Sequence, residues 1–505
     1  MINMLNKPVK ILTFLACVFL SICTPARAQL IAYKAPAGVK LNPDFAVSVR
    51  EEGKLWQSLP SYPAKVVQVT DGKNRVQTTS FAYFDFSGKV EVSVAYTKGT
   101  VKDVKIRPLS YGIVPVVKGN TITFSLTDPR NISIEVNGDL YHNLHLFANP
   151  LETSRPSPTD TSVIYYGPGV HYAGTVKVPS NKTVYIAGGA VVQAHFAVRN
   201  AENIRIIGRG IVTQMADFED PVSKTAPILP IVKQQRQYDE IRIEYAKNVE
   251  VSGIVILPHR YSIVSGQSKN VTISNIKSFS SEGWGDGIDI FCSTDVLIDR
   301  VFMRNSDDCI AIYGTKQGFS GNVDNLRISN SVLWADIAHP ILIGTHGNSK
   351  NPEILGNMKI TNIDILNESE NQIDYQGCLS LNAGDSNLIK DISFEDIRVE
   401  NIRKGQLINM RVMYNAKYNT SAGKGIENIY FKNISYNGSP LGLSIIAGYD
   451  ETRKIKNITF ENLKINGKVI ADKMPGKPAW YKTGDFANFF IGEHVENLTF
   501  ITSEK

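Results

Sequence analysis

One phrase recurs through the last three hundred residues: an Asn or Asp, an apolar residue, any residue, Ile or Phe, any residue, a polar or glycine residue, then a second short apolar alternation. It reads NIRIIGRGI from Asn203, NVEVSGIVI from Asn248, NVTISNIKS from Asn270 and DVLIDRVFM from Asp295. It continues as NLRISNSVL from Asn325, NMKITNIDI from Asn357, DISFEDIRV from Asp391, NIYFKNISY from Asn428 and NITFENLKI from Asn457, and a partial copy, NLTFITSEK, closes the chain. From Asn248 onward successive copies start 22 to 37 residues apart. Each copy is two short period-2 strands hinged at a polar corner, with almost no helical periodicity between copies. Self-similarity at such a period marks a solenoid. Strand phrases alone make it a parallel β-helix, each coil stacked about 4.8 Å above the last. The leading Asn and Asp residues have an architectural explanation, because they tolerate the left-handed conformation and bond neighbouring backbone.

Residues 29–150 read differently. Strands such as KVEVSVAYT, NTITFSLT and NISIEVNG alternate between glycine, asparagine and proline turns, the pattern of a small antiparallel β-sandwich. LETSRPSPTD, 151–160, reads as a linker, and 161–505 as the β-helix. The expected fold class is therefore all-β, a right-handed parallel β-helix preceded by a small antiparallel sandwich. Residues 1–28 carry Lys7 and Lys10, an apolar run over 11–23 and Ala26-Arg27-Ala28, which is the layout of a signal peptide and implies export to the periplasm or the medium. The run is too short to span a bilayer comfortably. Without those residues the formal charge is +3, from 51 basic against 48 acidic residues. So balanced a chain offers no basic stripe for nucleic acid, and no later segment suits a membrane span. Cys292, Cys309 and Cys378 remain, so at most one disulfide can form.

The chemistry concentrates in EGWGDGIDIFCSTDVLIDRVFMRNSDDCIAIYG, residues 282–314. No G-x-S-x-G, HExxH, C-x-x-C or P-loop occurs, and the eight histidines are scattered, so acid/base work by carboxylates is what remains. Ile288/Ile290 and Ile310/Ile312 alternate as inward positions; Asp289 and Asp307 then have outward parity, while Asp286 and Asp308 must sit at turns. Asp286 and Asp307 are 21 residues apart, about one coil, so Asp286, Asp307 and Asp308 should form one cluster on the outer wall. Crowded carboxylates raise one another's pKa, leaving one protonated while another stays ionised: a general acid beside a general base. On spacing alone, calcium ligation and plain corner architecture remain alternatives. AHPILIGTHGN places His339 and His346 one to two coils on, and His346 is a candidate for tuning the carboxylates' protonation. LINMRVMYN presents Arg411 with Tyr414, followed by Tyr418, a set suited to sugar hydroxyls or carboxylates. Trp284, Tyr313 and Trp334 suit stacking on sugar rings, with core packing an equal alternative for Trp334.

GDGIDIF, NSDDCIAIYG, GTHGN and NMRV together resemble the polygalacturonase family of glycoside hydrolases over about 160–470. The amino-terminal sandwich, with SVLWADIAHPILIG and YYGPGVHY, looks more like the related dextranase and isopullulanase family. The resemblance implies an inverting hydrolase of a polysaccharide or oligosaccharide, with Asp307 as general acid and Asp286 and Asp308 activating the attacking water. It further implies that His346 holds the acid's protonation state, that Arg411 binds substrate near the cleavage point, and that no metal or cofactor takes part. Trp284-Gly285 stands where the family has Asn-Thr, Thr345 interrupts G-H-G, and Met413 replaces a lysine, which leaves a neutral sugar open beside a pectic one. The competing readings are a dextranase-like hydrolase of a neutral α-glucan, a non-catalytic β-solenoid that binds glycan, and a lyase on the same scaffold. A monomer is expected.

Overall fold

A computed structural model describes residues 28–214, 239–439 and 442–503. The signal-peptide reading of 1–28 falls, but for Ala28, outside the described residues. From Val163 onward the strands join one 31-stranded sheet wound into a parallel β-helix. Lys247–Ser252, Val255–Leu257 and Tyr261–Gly266 make one coil, which pairs in parallel with Lys269–Ser274, Lys277–Phe279 and Ile288–Phe291 of the next. Alternation along each strand drives the winding: Ile263, Ile288, Ile310, Ile341, Leu379 and Ile408 pair in sequence and point into the core. Near the carboxyl end, Phe394, Phe431, Phe460 and Phe500 stack with centroids 5.0, 4.6 and 5.1 Å apart. Phe431→Ala would open a hole at the middle of that column, and is expected to cost about 3–5 kcal/mol in urea unfolding. A cost below about 1 kcal/mol would mean that the neighbouring coils close the gap.

The leading residue of every repeat copy stands at positive φ, for example Asn248 at 56°, Asp295 at 55° and Asn428 at 57°. There its side chain runs along the helix axis. Asn248 donates to Asn203 (3.0 Å), Asn270 to Asn248 (2.8 Å), Asn457 to Asn428 (2.9 Å) and Asn497 to Asn457 (3.0 Å). An amide that both donates and accepts can continue such a ladder from coil to coil, which is why asparagine fills most of the corners.

Ahead of the helix, a six-stranded and a five-stranded sheet face each other over a core that includes Phe45, Val92, Phe84, Ile122 and Ile134. Pairing is antiparallel except where Leu144–Pro150 runs parallel to Lys73–Ser87 on the chain's way into the helix. The sandwich is not a separate bead. Tyr62, Phe81 and Phe147 share a core with Phe279, Phe302 and Trp334 of the helix. Polar anchors surround it: Arg209 to Asp85 (2.9 Å), Arg107 to Glu400 (2.7 Å) and Arg304 to Asn143 (3.0 Å). Trp334 is thus core and not a sugar platform. Among the described residues no helix is long and apolar enough to cross a membrane, and Cys292, Cys309 and Cys378 are unbridged and buried.

Candidate active site

Ile288, Ile310 and Ile341 pair in register on three consecutive coils, and Asp286, Asp308 and His339 each stand two residues before them. The backbone carries the stack: Gly287 N–H donates to the Asp308 carbonyl and Cys309 N–H to that of His339, both at 2.8 Å. Glycines flank Asp286 because nothing larger fits. A Cβ on Gly285 would collide with Ser306 Oγ, and one on Gly287 with the Cys309 carbonyl. Asp307 precedes Asp308 in the same turn and is half-buried, while Asp286 and Asp308 are buried.

Partner chemistry settles the protonation. His339 turns Nδ1 to Asp308 Oδ1 (2.6 Å) and Nε2 to the carbonyl of Tyr375; both partners only accept, so the ring carries both protons. Burial alone would lower its pKa, but the Asp308 charge and hydrogen bond push it up to about 10. Asp308 also accepts from His339 N–H (3.1 Å) and from the Tyr313 hydroxyl (3.0 Å). Burial, then the charges of Asp308 and Glu370, push Asp307 up to about 8 against the pull of His339, so its carboxyl holds a proton at neutral pH. Asp286 and Asp289 are both pushed well above the usual carboxylate range, first by burial and then by neighbouring charge. Oδ1 of each has no partner among the described residues.

The three expected aspartates therefore come together, and a fourth joins them. Asp289 is 1% exposed and sits between Val264 and Ala311 on the outer face of its sheet. Its signal was a carboxylate of outward parity in an otherwise apolar row. His346, expected on the carboxylates, instead turns Nε2 to the Lys316 ammonium at 2.9 Å. That partner only donates, so the ring is neutral, and burial followed by the Lys316 charge brings it down to about 4. His339 is the histidine at the cluster. Tyr313, expected to touch substrate, is 6% exposed and serves Asp308 from beneath.

Arg411 lies farther along. Ile312 pairs with Ile343, Ile343 with Leu381 and Leu381 with Met410, so Arg411 is three coils beyond Tyr313, about 14 Å at the usual coil spacing. Tyr414, 50% exposed, follows it on the outer wall. At the other side Trp284 is 64% exposed and held at φ 57°, a conformation that a bulky residue avoids unless its surroundings impose it. Arg260 lies 5.2 Å from the Trp284 ring. Among the described residues no group of His, Cys, Asp and Glu is arranged to hold a metal ion.

The chain is similar to known proteins in sequence and in fold. Endopolygalacturonase B of Aspergillus niger is 24% identical over 242 residues, 47% of this chain and 60% of the relative. A probable endo-xylogalacturonan hydrolase A of Aspergillus fumigatus is 29% identical over 164 residues, 30% of this chain and 37% of the relative. The chain thus spans less than two thirds of the length of these relatives. In three dimensions it is similar to Dex49A from Penicillium minioluteum, with TM-score 0.59 at 15% identity over 93% of this chain and 96% of that one, which extends the shared fold through the sandwich. The family model of glycosyl hydrolases family 28 matches residues 170–474, a span that contains all four aspartates and His339, and the chain belongs to that family.

Proposed function

We propose that the protein is an exported, monomeric glycoside hydrolase that cleaves an acidic, pectic or related glycan with inversion. The observation that carries this reading is the division of protons within one cluster. Asp307, half-buried, is pushed up to about 8, Asp308 pairs with His339, which is held up to about 10, and Asp286 and Asp289 are both pushed well above the usual carboxylate range by burial and neighbouring charge. Asp307 gives its proton to the leaving oxygen. Asp308 and Asp286 hold the attacking water between them, and Asp308, the ion-pair partner of His339, accepts its proton. His339 pairs with Asp308 and pulls on the charge of Asp307, whereas His346, expected to hold the acid's protonation state, turns to Lys316. Trp284 offers its exposed face to a sugar ring next to the cluster, and Arg411 with Tyr414 serves a unit about three coils away. The names of the relatives, endopolygalacturonase and endo-xylogalacturonan hydrolase, support a pectic substrate.

Reducing-end release from polygalacturonate, rhamnogalacturonan and dextran, with proton NMR of the first product anomer, tests this. Release from a uronide with inverted anomer is the expected result. Release from dextran alone would transfer the protein to a neutral α-glucan, and a retained anomer would overturn the water-activating roles.

A further inference from the structure

Lys316 has no role in the mechanism above, yet its setting is built. Both the N–H and Oγ1 of Thr315 donate to Glu353 (2.7 and 2.6 Å), as does Gly321 N–H (2.7 Å). Between them Lys316 and Phe319 exchange backbone hydrogen bonds of 3.2 and 2.9 Å across a tight turn. Phe319 is buried against Phe291 (6.2 Å) and Tyr245 (5.5 Å), in space that exists because residue 266 is glycine. The backbone of Lys316 is thus fixed on both sides, and its side chain turns back over the Tyr313 ring, 6.0 Å from the centroid, to His346.

The ammonium stands in the field of Asp289, Asp286 and Asp385. Among the described residues it makes no ion pair with any of them. Its hydrogen-bond partner is a neutral imidazole, which occupies one of three donors. A lysine placed to neutralise the aspartates would pair with one; this one is held off them, half-buried, with two donors left over among the described residues. Such a fixed, partly desolvated cation suits an anionic group brought by a ligand. We propose that Lys316 receives the carboxylate of a uronic acid unit bound next to the aspartate cluster, and that His346 is the acceptor that positions it. The inference deepens the pectic reading and rests on it.

Calorimetric binding to the full chain carrying Asp307→Asn, so that nothing is cleaved, tests it with tri-galacturonic acid and its carboxyl-reduced, neutral counterpart. Lys316→Met is expected to weaken the acidic trimer by about tenfold or more, the scale of one charge-assisted pair, and the neutral trimer by less than about twofold. Lys316→Arg, which keeps the charge, should restore most of the loss, and matching thermal melts establish that both variants fold. Equal losses for the two trimers, no loss, or no binding of the acidic trimer to the parent would each overturn the proposal. The reducing-end assay is a separate arm: release from a neutral glycan that dies with Asp307→Asn would keep the hydrolase while removing the uronate.

Discussion

Asp307→Asn should lower kcat by about 10²- to 10⁴-fold, the usual contribution of a general acid, while the protein stays folded. The same substitution should change the pH profile. The Asp307 carboxyl, pushed up to about 8, acts in its protonated form, so wild-type kcat/KM is expected to fall as pH rises through about 8. The variant has no such proton to lose, and its residual activity should lack that limb. Stability has the same sign. Because the folded value lies above the unfolded one near 3.9, the contribution of this group is complete below about pH 4 and is lost as pH rises through about 8. Thermal melts across that window should therefore decline less in the variant than in the wild type. Unchanged kcat, or a basic limb that survives the substitution, would remove Asp307 from the acid role.

His339→Ala should be costly in two ways at once. It leaves Asp308 buried with the Tyr313 hydroxyl and a backbone N–H but without its cation, and breaking a buried pair typically costs about 3–5 kcal/mol. Activity should fall with it by about 10²-fold or more, since the charge on Asp308 would now compete for the proton that Asp307 must keep available. The imidazolium is held up to about 10 against an ordinary value near 6.5, so its stabilisation is present in full below about pH 6.5 and is lost as pH rises through about 10. The wild type and His339→Ala should therefore differ most in urea titrations at mildly acidic pH and converge in alkali. His339→Gln, which can bond both partners without the charge, separates packing from electrostatics: activity near wild type in that variant would show that the charge does nothing. A stability loss below about 1 kcal/mol for alanine would mean that Asp308 is not paired as described.

The solenoid was legible because every copy of the phrase has to bury its alternating face against the next, which forces repetition into the sequence itself. The aspartate cluster was legible for a related reason, since Asp286 and Asp308 are 22 residues apart and a coil is about that long. The histidine was harder. A G-x-H-G corner draws attention to His346, but groups meet on a solenoid only when they occupy the same place in the coil. The aspartates of the turn precede their strands; His339 also precedes the strand Ile341–Gly344, whereas His346 follows it. Register decided between the two, and register depends on which residue starts each strand. Tyr313 has outward parity and invites a reading as surface, but Phe319, Tyr375, Tyr418 and Met413 close over that row. Nothing local in the sequence announces that cover. Arg411 could be put only on a later rung, because coils vary in length and a count of residues from Asp308 does not give the number of coils between them.

The shared core between sandwich and helix changes what kind of object the solenoid is. In a free solenoid each coil feels only the two beside it, and the array can come apart at any rung. Here Asp85 grips Arg209, Asn149 receives Lys277, Asn143 receives Arg304 and Arg107 reaches Glu400, so one rigid body fastens coils that are far apart along the axis. It works as a splint laid lengthwise, and the rungs it crosses are those that carry the aspartates and His339. A cluster that depends on the stacking of three consecutive turns is thereby protected against slip between them, by contacts made on the strands that lead into those turns, Lys277–Phe279 and Phe302–Asn305.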